Sequence, residues 1–285
     1  MSIGGVFRQH FALANNGKDS DSKILQFLPV ETTGGNGTVG ASGEFANITC
    51  ENALMTAGGG PNTVLTMSVW VYPVAGTSSF ESANTPHTIA SQLDEDNVSG
   101  SGTSYIQISS DGKVNFKFRQ RLVSHNVATI SYSQWNHILI SMSASTTGND
   151  IIHLVVNGTR YTYQSGNNNI SGTVTIGNGD QIIDPDDDFN FHMGYKTTDS
   201  TYSEGTNAFK GSMYQFYFDN QYYDMSQSSN ILKFRTSGGN SLPNFDLPNQ
   251  SPLILITDFK TFNSGINGPG IIVRNRVSTS TLPKP

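Results

Sequence analysis

Carboxylates offer the most direct chemistry in this 285-residue chain, and their spacing limits what they can do. Asp184, Asp186 and Asp188 stand at alternate positions in Asp184-Pro185-Asp186-Asp187-Asp188. Ca²⁺ takes about six to eight oxygens, so closely spaced aspartates in one loop suit it. Asp94-Glu95-Asp96-Asn97 forms a second acidic cluster. Neither run carries the glycine and terminal glutamate of a full calcium loop. Both also suit solvated loops in which aspartates cap turns. Ca²⁺ is therefore the one candidate cofactor, with Asp184, Asp186 and Asp188 the better ligand set. Hydrolysis of a sugar linkage would need two carboxyl groups across the bond. Asp184 and Glu204 are the pair to replace in a test of that chemistry.

Other reactive groups are scattered. His10, His87, His125, His137, His153 and His192 include no pair at a helical metal spacing. Cys50 is the single cysteine, so an internal disulfide and a thiolate metal cluster are both excluded. Neither a Gly-x-Ser-x-Gly elbow nor a Gly-x-x-x-x-Gly-Lys phosphate loop occurs. Tyrosines are more suggestive. Tyr214, Tyr217, Tyr222 and Tyr223 crowd near Phe216 and Phe218, and Tyr195 and Tyr202 flank a polar stretch. Sugars stack on such rings, and Asn or Asp beside them bonds hydroxyls. On that reading Asp94, Asn97, Tyr195 and Asp199 are the candidate ligand-binding residues. The same tyrosines equally suit a half-buried sheet or a subunit interface.

The elements that must position these groups are strands. Only 13% of residues are charged, against a usual share of about a quarter. Thr, Val, Ile, Tyr and Phe, punctuated by Gly, Asn and Ser, favour extended backbone. Residues 23–30, 66–73, 87–92, 105–109, 114–119, 135–144, 151–156, 159–163, 174–176, 189–195, 212–218, 252–258 and 271–277 read as strands. Asp111-Gly112 and Asn157-Gly158 supply hairpin turns. Residues 224–234 are the one helix candidate, with Asp224 or Ser226 as cap and Gly238-Gly239 past the end. Short strands at such spacing predict an all-β fold: two antiparallel sheets packed face to face, with one short C-terminal helix. The net charge of −6 and the lack of a long Lys/Arg stripe argue against nucleic acid. No apolar run reaches the roughly 18 residues of a membrane helix, and the first residues do not read as a secretory signal.

Four stretches carry a resemblance. They are Leu65-Thr66-Met67-Ser68-Val69-Trp70-Val71-Tyr72-Pro73, Trp135-Asn136-His137-Ile138, Ile152-His153-Leu154-Val155-Val156-Asn157-Gly158 and Phe209-Lys210-Gly211-Ser212-Met213-Tyr214. In that order they resemble the concanavalin A-like lectin/glucanase superfamily in its laminin-G-like version, which implies a jelly-roll β-sandwich. Asp224-Met225-Ser226, Asn230-Ile231-Leu232-Lys233-Phe234 and Pro252-Leu253-Ile254-Leu255 resemble the closing part of laminin-G-like proteins of tailed bacteriophages. The glucanases of the superfamily carry a Glu-x-Asp-x-Glu strand. Here Glu31, Glu44, Glu51, Glu81, Glu95 and Glu204 include no two that are four apart, so that motif is absent.

The expected organisation is an arm and outer strand over residues 1–62, the sandwich over 63–223, and a helix with further strands over 224–285. The resemblance implies a non-enzymatic virion structural protein, a capsid decoration or tail accessory acting in adhesion. It would be assembled in the host cytoplasm, with other virion proteins and further copies of itself as partners. A carbohydrate-binding attachment protein recognising host surface glycans is the alternative, and a divergent glycan hydrolase the second alternative. Neither nucleic acid nor membrane insertion is expected.

Overall fold

A computed structural model describes residues 24–27, 38–39, 47–50, 64–74, 87–92, 104–109, 111–118, 121–143, 151–164, 167–168, 191–194, 196–197, 205–206, 209–242, 248, 254–256, 271–274, 277–279 and 282–285. The early strands are β1 (Leu25–Phe27), β2 (Thr38–Val39), β3 (Asn47–Cys50), β4 (Val64–Pro73), β5 (His87–Gln92) and β6 (Ser104–Ile108). Next come β7 (Lys113–Phe118), β8 (Arg121–Thr129), β9 (Asn136–Ser143), β10 (Ile151–Val156), β11 (Thr159–Gln164) and β12 (Asn167–Asn168). β13 (Phe191–Met193), β14 (Lys196–Thr197), β15 (Gly205–Thr206) and β16 (Gly211–Asp219) precede the helix α1 (Ser228–Ile231). β17 (Ile254–Ile256), β18 (Ile271–Arg274) and β19 (Val277–Thr279) follow it.

These strands form a nine-stranded sheet ordered β12-β11-β10-β9-β4-β16-β1-β19, with β17 also on β16, and a seven-stranded sheet ordered β18-β3-β13-β5-β6-β7-β8. β14, β15 and β2 make a small third sheet. Successive strand residues point to opposite faces. Leu65, Met67, Val69 and Val71 therefore meet Ile138, Ile140, Met142, Ile152, Leu154 and Phe216 on the inner side of the nine-stranded sheet. Ile89, Ile106, Ile108, Val114, Phe116 and Met193 close on them from the seven-stranded sheet. The architecture is the expected jelly-roll β-sandwich.

The turns explain several of the motif residues. Asn157 and Gly158 both take positive φ, +51° and +87°, as a tight hairpin requires. The Asn157 side chain then works twice. Its Oδ1 accepts the His137 N–H at 2.9 Å, and its Nδ2 donates to Asn136 Oδ1 at 3.1 Å. Asn136 in turn donates to the carbonyls of Ser131 and Gln134. The Asn-Gly and Trp-Asn-His stretches are thus one hydrogen-bonded joint. Gly211 has φ +142°, and a Cβ there would collide with the Tyr72 carbonyl where β16 meets β4.

Three local expectations change. The helix is one turn, Ser228–Ile231, rather than residues 224–234. Asp224 does not cap it: the carboxylate accepts the Ser226 N–H at 2.8 Å and hydroxyl at 2.7 Å, closing a turn ahead of the helix. The last strand splits in two. β18 pairs with β3 in the seven-stranded sheet, whereas β19 pairs with β1 in the nine-stranded one. The tail, Ser278 to Pro285, for which the sequence suggests no regular element, is not irregular throughout. It holds β19, and Leu282–Pro285 docks where Trp135 Nε1 donates to the Pro283 carbonyl at 2.9 Å.

Candidate functional site

The seven residues singled out for binding, Asp94, Asn97, Tyr195, Asp199, Asp184, Asp186 and Asp188, all lie outside the described residues. So does Glu204. Among the described residues no cluster of three His, Cys, Asp or Glu is placed to hold a metal. The tyrosine cluster divides. Tyr214 and Tyr217 are buried, at 2% and 0% exposure, which removes them as a sugar platform. Tyr222 and Tyr223 are half-buried against the same side of the nine-stranded sheet.

That side, facing away from the core, is sealed by residues 220–242 and 282–285. Met225 and Phe234 pack on Leu139, Val155 and Tyr217. Leu282 and Trp135 pack on Ile24, Trp70 and Tyr214. Many of the polar residues beneath are bonded, while Trp70 Nε1, His137 Nδ1, Gln215 Oε1 and one Arg235 nitrogen are buried without a hydrogen-bond partner. Thr66 donates to the Gln221 carbonyl at 2.7 Å, so the Ser141 hydroxyl donates to Thr66 Oγ1 at 2.9 Å and accepts the Tyr223 N–H at 3.0 Å. His153 reaches the Thr162 hydroxyl through Nδ1 at 3.0 Å, and Tyr222 and Asp224 through Nε2 at 3.0 and 3.3 Å. The Asp224 carboxylate favours the proton on Nε2, leaving Nδ1 to accept from Thr162. Burial still lowers the His153 pKa, with Asp224 opposing and Arg160 reinforcing that shift. His137 stacks on Trp70 at 4.7 Å and bonds Ser68 at 2.9 Å. Complete burial, aided by Arg235, pushes its pKa down to about 3. Arg235 lies over Trp70 and against Gly158 and Gly239, where a Cβ would meet the guanidinium at 2.7 and 2.6 Å. All of this fastens the C-terminal segment to the sandwich.

The outward side of the seven-stranded sheet is different. Its register lines up two polar rows. In the first, Thr49 pairs with His192, His192 with Ser91, Ser91 with Tyr105 and Tyr105 with Lys117. In the second, Thr88 pairs with Gln107, Gln107 with Asn115 and Asn115 with Ser124. A bulge between Thr88 and Ala90 turns both Ile89 and Ala90 inward and keeps Thr88 and Ser91 on the outer side. Gln107, itself buried, donates to the Thr88 hydroxyl at 2.9 Å. Thr88, Ser91, Gln107 and His192 are buried, whereas Tyr105, Asn115 and Lys117 are half-buried, so exposure rises toward β7. Burial raises the Tyr105 pKa, and its hydroxyl stays a neutral donor. An aromatic ring between amides, hydroxyls and an ammonium can stack a pyranose face and bond its hydroxyls.

Sequence reading missed these rows because Thr88, Gln107 and Asn115 belong to three strands. The available signal was the alternation of polar with apolar residues in Tyr105-Ile106-Gln107-Ile108 and Lys113-Val114-Asn115-Phe116-Lys117.

No family model and no curated protein matches the chain. Solved structures do. A native heptameric SAP-like pentraxin from Limulus polyphemus is similar over 91% of this chain and 94% of its own, at 12% identity and a TM-score of 0.51. A carbohydrate-binding protein from Bacteroides ovatus, so described provisionally, aligns over 74% of this chain and 46% of its own, at 12% identity and a TM-score of 0.41. The CBM40 module of a Ruminococcus gnavus IT-sialidase aligns over 74% of this chain and 96% of its own, at 12% identity and a TM-score of 0.43. Only the pentraxin likeness is strong enough to bear on architecture. Together with the sheet order, it makes this chain a jelly-roll β-sandwich of the concanavalin A-like kind.

Proposed function

We propose that the chain is a non-enzymatic adhesion module that binds carbohydrate across the outward side of its seven-stranded sheet. The supporting observation is the pair of polar rows in which Tyr105 and Asn115 are half-buried beside β7, on either side of the buried Gln107. A ring with flanking amides is the chemistry that sugar recognition uses, and the carbohydrate-binding structures of similar outline agree with it. Each site would be weak, and several copies acting together would supply the avidity. The non-enzymatic part rests on the missing Glu-x-Asp-x-Glu strand. A glycan array of bacterial surface polysaccharides is the test. The wild-type chain should bind a subset and Tyr105→Ala should lose it. Equal signals from both proteins would defeat the proposal, and reducing sugar released from a bound glycan would defeat its non-enzymatic half.

The setting we propose is a bacteriophage particle. The observation that favours it is the docked segment 224–234, whose sequence resembles the closing part of phage laminin-G-like proteins and whose Phe234 is fully buried against Tyr217 and Leu139. Its partners there would be virion proteins and further copies of itself. Immunogold labelling of intact particles should decorate capsid or tail, and unlabelled particles would exclude this setting.

A further inference from the structure

Three buried nitrogens without a hydrogen-bond partner gather around one ring on the sealed side of the nine-stranded sheet: Trp70 Nε1, His137 Nδ1 and Arg235 Nη1. Trp70 in β4 and His137 in β9 are direct cross-strand partners. Their ring centroids lie 4.7 Å apart, and the Arg235 guanidinium carbon stands 5.9 Å from the same Trp70 centroid. Trp70 is 3% exposed and His137 is fully buried, so bulk solvent serves neither. Arg235 is fixed by its surroundings. Gly158 and Gly239, both at φ +87°, back directly onto the guanidinium. The Gly158 turn is tied to His137, because the Asn157 N–H donates to the His137 carbonyl at 3.0 Å. Arg235 thus reaches from that turn to the Trp70 ring, and its charge helps to lower the His137 pKa. Arg235 forms no ion pair among the described residues: Asp111 holds Lys113, and Asp224 faces His153.

We propose that Arg235 Nη1, Trp70 Nε1 and His137 Nδ1 together bind a small monovalent anion of the halide class, which clamps the C-terminal segment to the sheet. The Arg and Trp nitrogens are donors only. His137 is a third donor when its Nε2 accepts from the Ser68 hydroxyl, and that 2.9 Å bond serves in either direction. Charge selects an anion over water. A water molecule would satisfy the bonds yet leave the guanidinium without a counter-charge, and a buried charge is costly unless paired. Burial sets the size. Under residues 220–242 and 282–285 the three nitrogens suit an ion of atomic dimensions rather than a carboxylate borne on a sugar. The donors come from β4, β9 and the segment after α1, so only the folded chain assembles the site, and the anion stabilises that state.

The experiment melts the full chain at fixed ionic strength while sodium bromide replaces sodium gluconate, an anion too large for the site. Bromide should raise the midpoint along a saturating curve, by about 3 °C at roughly tenfold over the half-saturating concentration. Arg235→Met, which keeps an aliphatic stem over Trp70 and loses the charge, should flatten the curve. Trp70→Phe, which removes the Nε1 donor, should weaken it. A rise that never saturates, or an equal rise in Arg235→Met and wild type, would reduce the effect to general salt action and overturn the proposal. Crystals of the wild-type chain grown with bromide decide the matter even where a variant fails to fold. An anomalous peak in contact with all three nitrogens supports the site, and a water there without anomalous signal overturns it. Either result leaves the carbohydrate reading untouched, since that reading concerns the other sheet.

Discussion

Each of the two large sheets has one side in the shared core and one side turned away from it, and the two turned-away sides differ in how much of their polar surface is buried. On the nine-stranded sheet, Thr66, Ser68, His137, Ser141 and His153 are buried under residues 220–242, and each bonds another side chain or the overlying backbone. On the seven-stranded sheet, Tyr105, Asn115 and Lys117 remain half-buried in rows that cross β5, β6 and β7. Strand by strand the two patterns are alike, with polar and apolar residues alternating. A polar residue on the outward side of a strand therefore says little until its partner is known. Burying a polar group costs least when it is bonded, and the sealed side meets most of that demand with hydroxyls and imidazoles, leaving Trp70 Nε1 and His137 Nδ1 without partners. A recognition surface needs the reverse, polar atoms with bonding capacity left over.

The largest effect should come from unsealing the first side. Phe234 is fully buried between Tyr217 and Tyr223, with ring centroids 5.4 and 5.9 Å away. Phe234→Ala should destabilise the protein by about 3–5 kcal/mol through lost burial and the cavity left behind. Urea unfolding followed by tryptophan fluorescence would measure it. Surviving folded molecules should bind glycan as the wild type does, because Phe234 packs on Leu139, Val155 and Tyr217 of the nine-stranded sheet. A stability loss below about 1 kcal/mol would mean that residues 220–242 lie loosely on the sheet.

Acid should act on the same side. Folded His137 has a pKa of about 3 against an ordinary 6.5, since its burial excludes the charged form. Below pH 6.5 the unfolded chain takes up a proton that the folded protein refuses until about pH 3. The contribution is whole above pH 6.5 and falls as pH drops toward 3, by up to about 1.4 kcal/mol per pH unit. His153, also lowered, adds in the same direction. Stability should thus drop by about 2 kcal/mol between pH 6.5 and pH 5, and His137→Gln should flatten the slope. An unchanged slope in that variant would show that His137 is not sealed.

Much of the sandwich was legible in the sequence, because its strongest signals are local. Asn157-Gly158 and Asp111-Gly112 specify hairpins through their own backbone preferences, and the core of β4 follows from alternation within one strand. What stayed hidden depends on distant partners. Nothing between Ile271 and Thr279 reveals that Ile271 pairs with Cys50 while Val277 pairs with Phe27. Nor does Thr66 reveal that Gln221, far along the chain, will cover it. The helix was overestimated because Asp224 and Ser226 prefer a bond to each other over capping the turns that follow. The binding residues chosen from composition sat in loops, whereas the rows that the fold assembles draw one residue from each of several strands.

A smaller effect separates the two sides by their hydrogen bonds. Thr66→Val keeps the shape and removes one hydroxyl, leaving the Gln221 carbonyl and the Ser141 hydroxyl each short of a partner. The cost should be about 1–2 kcal/mol, since unbonded buried groups keep their desolvation penalty. The matching change on the other side, Asn115→Ala, should cost under about 0.5 kcal/mol, because water can reach the half-buried row.

Tyr105→Ala carries the comparison to its limit. Tyr105 is half-buried between Ser91 and Lys117, whereas Phe234 is fully buried, so its removal should cost less stability than Phe234→Ala, about 1 kcal/mol. Its effect on glycan binding should nonetheless exceed that of every substitution on the sealed side. A ring used for stacking is typically worth several-fold in affinity at the least. Thermal unfolding and a glycan titration of the same variant give both numbers. If Tyr105→Ala lost as much stability as Phe234→Ala while binding was unchanged, the two sides would be alike after all, and the rows would be structural.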